Sequence, residues 1–107
     1  MAWYVNGHNL KMSEDDFGVA LHFNFTGTTL GQYDKFKFIF KTEKNGDTLL
    51  EKVIVGSTNN GVDLVLTESD SEKLPVGTYV YSLQWFQDGL FKDTIIECAT
   101  FAVGDVA

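Results

Sequence analysis

The chain has 107 residues, of which 44% are hydrophobic and 14% aromatic, a load of bulky apolar side chains that disordered segments lack and that suits one core in one domain spanning 1–107. Fifteen acidic residues against eight basic ones give a net charge of -7, and every basic residue is Lys. With no guanidinium fork and a repelling overall charge, nucleic acid and anionic membrane surfaces are excluded as expected partners, and the single cysteine, Cys98, excludes an internal disulfide.

The first element is a short strand over residues 3–5, with Trp3 and Tyr4 on opposite faces, followed by Asn6-Gly7 and a second strand over 9–12. Met1 to His8 shows no basic region leading into an apolar one, so the expectation is a cytoplasmic product. Ser13-Glu14-Asp15-Asp16 is contiguous acid rather than the alternating oxygen donors of a calcium loop, and reads as a solvated entry to the next strand.

Val19, Leu21, Phe23 and Phe25 then alternate with Ala20, His22 and Asn24, the two-residue repeat of a half-buried strand over 18–26. Residues 33–42 repeat it, with Phe36, Phe38 and Phe40 on one face and Lys35, Lys37 and Lys41 on the other. Further strands are expected at 48–56, 62–67, 77–86 and 91–103. In the seventh, Tyr79, Tyr81, Leu83 and Trp85 share one face, and Val80, Ser82, Gln84 and Phe86 the other.

Asn6-Gly7, Asn45-Gly46, Asn60-Gly61 and Asp88-Gly89 can each take the two positive φ values of a type I′ reversal, which predicts hairpins and an antiparallel arrangement. Between the sixth and seventh strands, Thr67 is an N-cap with an acidic residue at the third position after it, early acid, a late Lys and then Pro75. This predicts one helical turn crossing from one sheet to the other. In the last strand Ile96 and Cys98 have one parity and Ala99, Phe101 and Val103 the other, so a β-bulge near Glu97 to Thr100 is expected to let both groups face the core.

Candidate chemistry is sparse. Zinc needs three or four ligands in fixed geometry, whereas His8 is placed beside a turn and His22 on an outward strand face, with Cys98 expected inward as a small buried hydrophobe. No phosphate loop, nucleophile elbow or zinc-peptidase motif occurs. The expectation is therefore a non-enzyme with no catalytic, cofactor or metal residues. The surplus of aromatics points to an interface instead, formed by Trp3 and Tyr4 on the first strand and by Phe86 and Phe91 flanking the Asp88-Gly89 turn.

Three blocks then carry a resemblance: Leu64-Val65-Leu66-Thr67-Glu68-Ser69-Asp70; Leu74-Pro75-Val76-Gly77-Thr78-Tyr79-Val80-Tyr81-Ser82-Leu83-Gln84-Trp85; and Ala99 to Ala107, with Asp15-Asp16-Phe17-Gly18 upstream. Together they resemble the immunoglobulin-like β-sandwich domains of tailed-phage and prophage structural proteins, baseplate upper-protein N-terminal domains among them. The resemblance implies an all-β, antiparallel immunoglobulin-like sandwich of about seven or eight strands with one short helical turn. It further implies a tail, baseplate or capsid-associated component, present in the bacterial cytoplasm and then in the virion, whose partners are other virion proteins or a homo-oligomer of itself. The alternative from a different class is a carbohydrate-binding sandwich in which Trp3, Tyr4 or Phe86 stacks on sugar rings.

Overall fold

The computed structural model describes residues 4–13, 17–18, 20–25, 30–31, 33–56 and 60–104, with only the backbone described at 4–6. The described residues form eight strands and one short helix: β1 Tyr4–Asn6, β2 Asn9–Met12, β3 Leu21–Asn24, β4 Lys35–Lys41, β5 Thr48–Val55, β6 Gly61–Leu64, α1 Glu68–Ser71, β7 Gly77–Gln87 and β8 Leu90–Val103. Six strands make a large sheet in the order β1-β2-β8-β7-β4-β5, and β3 pairs with β6 in a small one. The molecule is thus mostly β, in two sheets.

Alternation decides which faces meet. Phe36, Phe38 and Phe40 of β4, Tyr79, Tyr81, Leu83 and Trp85 of β7, and Phe101 and Val103 of β8 are all buried on the inner face of the large sheet. The small sheet covers them with Val62 and Leu64, aided by Leu66, Leu74 and Phe25, all buried. Ring contacts between Phe23 and Phe38, centroids 5.2 Å apart, and between Phe25 and Phe36, 5.4 Å apart, join the two layers. Each such phenylalanine removed from water contributes roughly 2–3 kcal/mol, so this aromatic layer dominates the stability.

The crossing helix forms as its sequence predicts. Thr67 caps α1, its hydroxyl accepting from the Asp70 N–H, while the Asp70 carboxylate accepts from the Thr67 N–H at 2.8 Å. α1 leads from β6 in the small sheet to β7 in the large one. The bulge also forms: Tyr81 pairs with Ala99 and Leu83 with Ile96, so Glu97 and Cys98 together oppose Ser82. Ile96 and Ala99 both reach the core as a result.

Five expectations need correction. The sheet is not wholly antiparallel, because β2 runs parallel to β8 through Leu10↔Phe101, Lys11↔Ala102 and Met12↔Val103. This register buries Leu10 and Met12 beside Phe101. Asn60-Gly61 is not a hairpin turn. It joins β5 of the large sheet to β6 of the small one, and the Asn60 side chain is drawn into a tie between the Phe25 carbonyl and the Leu30 N–H, both at 2.9 Å.

Asn45-Gly46 does lie in the β4–β5 hairpin, but within a longer connection over 42–47 in which neither residue has positive φ. In the first hairpin Gly7 and His8 are the central pair, with positive φ at Gly7 alone of the two, the glycine position of a type II′ reversal. Asp88-Gly89 is the tight turn expected, at φ values of 54° and 78°. Finally, Cys98 does not face inward. At the bulge its φ is 52°, which turns its side chain to the outer face beside Val80 and Ser82.

Candidate functional site

The outer face of the large sheet has no covering layer among the described residues, and its register sets its chemistry. One row across it reads Val55, Lys35, Phe86, Phe91, and the next reads Val53, Lys37, Gln84, Thr94. Phe86 and Phe91 lie directly opposite one another beside the Asp88-Gly89 turn, with ring centroids 5.6 Å apart and planes at 74°. Phe91 remains 55% exposed, Val53 53% and Val55 61%, a concentration of apolar surface at one end of one face.

Lysines run through this patch. The Lys37 ammonium lies 5.4 Å from the Phe86 ring centroid and 3.4 Å from Glu51 Oε1, so it joins a cation–π contact to an ion pair. Lys35, Lys37, Glu51, Val53, Phe86 and Gly89 line a shallow depression of about 290 Å³. Lys35, Lys37 and Lys41 all project from the outer face of β4, Lys35 and Lys37 into this patch and Lys41 at the opposite end of the strand, so a chain of net charge -7 presents local positive charge beside Phe86.

A buried polar group holds this end of the sheet in place from beneath. Asp34 is buried at the entry to β4, and its Oδ2 accepts from the Trp85 indole N–H and the Gly31 N–H, both at 2.9 Å, and from the Gln87 amide at 3.5 Å. Its carbonyl accepts from the Gly56 N–H at 2.8 Å. These contacts fix the start of β4, the end of β5 and the end of β7 together, and so position Lys35, Val55 and Phe86. Sequence reasoning missed Asp34. The available signal was its parity, since residue 34 falls on the same face as Phe36, Phe38 and Phe40.

The remaining sequence candidates are dispersed. Trp3 lies outside the described residues, as do Glu14, Asp15 and Asp16. Tyr4 is described only by its backbone, on β1, which reaches β8 through Lys11 and Ala102. Ala102 and Phe91 pair with Thr78 and Phe86, eight residues apart on β7, so Phe91 lies roughly 26 Å away at the rise of a strand, a large part of the 37 Å long axis of the molecule. The first strand and the Asp88-Gly89 hairpin are therefore two separate surfaces.

On the outward face of the small sheet, His22 Nδ1 lies 2.6 Å from Asp63 Oδ1 and Nε2 lies 2.9 Å from Asn24 Oδ1. Both ring nitrogens are thus engaged by neighbouring side-chain oxygens. Cys98 shares a second shallow depression, about 170 Å³, with Lys41, Lys44 and Glu97, a basic context that the linear sequence does not show. Among the described residues no three His, Cys, Asp or Glu side chains gather as metal ligands. No helix among them is long and apolar enough to cross a membrane.

No family model, no curated protein and no solved structure matches this chain.

Proposed function

We propose that this chain is a non-enzymatic assembly module, an immunoglobulin-like sandwich that makes protein–protein contacts through the outer face of its large sheet. The observation that carries the reading is the exposed patch around Phe86 and Phe91, in which apolar side chains are interleaved with Lys35 and Lys37. Aromatic anchors with a charged rim are the composition of protein interfaces.

Two features support the immunoglobulin-like assignment. The strand order β8-β7-β4-β5 facing β3-β6 is that of a G-F-C-C′ sheet over a B-E pair. The Tyr79 hydroxyl, at the start of the strand equivalent to F, donates to the Pro75 carbonyl four residues upstream, the contact of a tyrosine corner. The virion setting rests on the resemblance of the Leu64–Asp70, Leu74–Trp85 and Ala99–Ala107 blocks to tailed-phage structural domains, and the partners would then be other virion subunits or further copies of this chain.

Sedimentation of the wild-type chain and of Phe91→Asp over a range of concentrations tests the reading. Self-association weakened by about tenfold or more in the variant would support it, as expected for a charge placed at an interface anchor. A chain that stays monomeric and binds sugars on a glycan array, with binding lost in Phe91→Ala, would replace it with the carbohydrate-binding alternative.

A further inference from the structure

The sheet edges differ in how well they are guarded. Along β8, residues 90–100 lack a neighbour on the side away from β7 among the described strands, but three register shifts kink this edge. Two of its N–H groups are also occupied by side chains, Thr94 by Asp93 Oδ1 and Thr100 by Asn9 Oδ1. Bulges and side-chain caps of this kind block strand addition. The other long edge, β5, has none over most of its length. Its register with β4 runs unbroken from Lys35↔Val55 to Phe40↔Leu50, and no described strand pairs with its far side.

The guard that β5 does carry is neutralised. Lys52 points to the inner face, where an unpaired charge would oppose any added strand, yet its ammonium lies 2.8 Å from Asp70 Oδ2 of the α1 cap. Val53 and Val55 are meanwhile exposed on the outer face of the same strand.

We propose that β5 is a self-pairing edge: two copies join antiparallel through β5, centred on Val53 opposite Val53, into one continuous sheet. This goes beyond the assembly reading, adding to the outer-face contact a separate edge contact whose partner and register are named. Side chains opposite each other in an antiparallel pair share a face, so residues of like parity must meet. Centring on Glu51 or on Lys52 would put like charges directly opposite each other. Centring on Val53 places Glu51 beside Val55 of the second copy and Lys52 beside Ile54 of the second copy, with no like charges opposed.

Charge complementarity favours a second copy as the occupant. In this register the row containing Lys35 and Val55 continues into Glu51 of the second copy, about 10 Å from Lys35 at two strand spacings. That distance is within the combined reach of the two side chains. The same row is formed twice by symmetry.

Strand pairing over so short an edge gives weak association, so the test is sedimentation from about 5 to about 500 µM of the wild type, Val53→Lys, Val53→Glu and an equimolar mixture of the two variants. Val53 is more than half exposed, so neither variant disturbs the core. The expected result is a reversible wild-type dimer, each single variant weakened by about tenfold or more, and a mixture restored to within a few-fold of wild type as a heterodimer.

A dimer that persists in Val53→Lys, or a mixture that stays dissociated, overturns the proposal. If that persistent dimer is lost in Phe91→Asp, the assembly reading stands and the edge proposal alone falls. A wild type monomeric throughout the range also overturns the edge proposal and leaves β5 to a strand from a different chain, while sugar binding by such a monomer would remove the assembly reading as well.

Discussion

The Trp85 indole N–H donates to Asp34 Oδ2 across 2.9 Å inside the sandwich, tying the entry of β4 to the end of β7 directly beneath the half-buried Phe86. The same oxygen also accepts from Gly31, so truncating Asp34 removes the acceptor of one buried and one half-buried donor at once. Asp34→Ala is expected to destabilise the fold by about 2–4 kcal/mol, and Asp34→Asn, which keeps one acceptor, by about half of that. Urea unfolding followed by Trp fluorescence measures both, and a loss under about 0.5 kcal/mol for Asp34→Ala would contradict this role.

Asp70 makes stability depend on acid. Burial pushes its carboxyl up, but the Lys52 ammonium and the Thr67 backbone N–H and hydroxyl outweigh that and hold it below its ordinary value of 3.8. A group depressed in the folded state stabilises above its unfolded pKa and loses that contribution as pH falls through the folded one. Urea midpoints measured between about pH 5 and pH 2 should therefore fall more steeply for the wild type than for Asp70→Asn. Parallel curves would show that the Lys52–Asp70 pair contributes nothing.

Tyr81 and Tyr79 act at the alkaline end. Burial raises both phenols above their ordinary value of 10.0, Tyr81 the more strongly, and its hydroxyl donates to the His8 carbonyl of the first hairpin. A raised folded pKa leaves its stabilisation intact below the unfolded pKa, and the contribution is lost as pH rises through the folded one. Tyr81→Phe should cost about 1 kcal/mol at neutral pH and lessen the destabilisation above about pH 10. Thermal melts across that pH range would reveal the difference, and identical alkaline profiles would refute it.

Cys98 holds the bulge open with a φ of 52°, a region that costs a non-glycine residue about 1 kcal/mol. Cys98→Gly should therefore be neutral or stabilising by up to about 1 kcal/mol, whereas Cys98→Val, β-branched in the left-handed region, should destabilise by more than that. Calorimetric melting points would rank the three proteins, and a more stable Cys98→Val would mean that the bulge closes.

Alternation in the sequence determined most of the architecture. The parity of Phe36, Phe38 and Phe40, and of Tyr79, Tyr81, Leu83 and Trp85, named the inner face, because a side-chain period of two leaves a strand only two faces. The phase change after Ile96 located the bulge, and Thr67 with Asp70 located the crossing turn, since both signals are local. The pairing of Phe86 with Phe91 was also accessible, because a two-residue turn fixes the register of its own hairpin.

Other relationships were decided only by tertiary structure. The parallel pairing of β2 with β8 joins segments about ninety residues apart, and periodicity within a strand carries no information about its neighbour. The Lys52–Asp70 and Asp34–Trp85 contacts likewise depend on which strands adjoin. Asn60-Gly61 has the composition of a hairpin, yet the demand of the small sheet for β6 and the capture of the Asn60 amide by Phe25 and Leu30 turn it into a crossover. Local sequence sets the conformation a residue can adopt, and the packing of the two sheets selects among the partners that conformation allows.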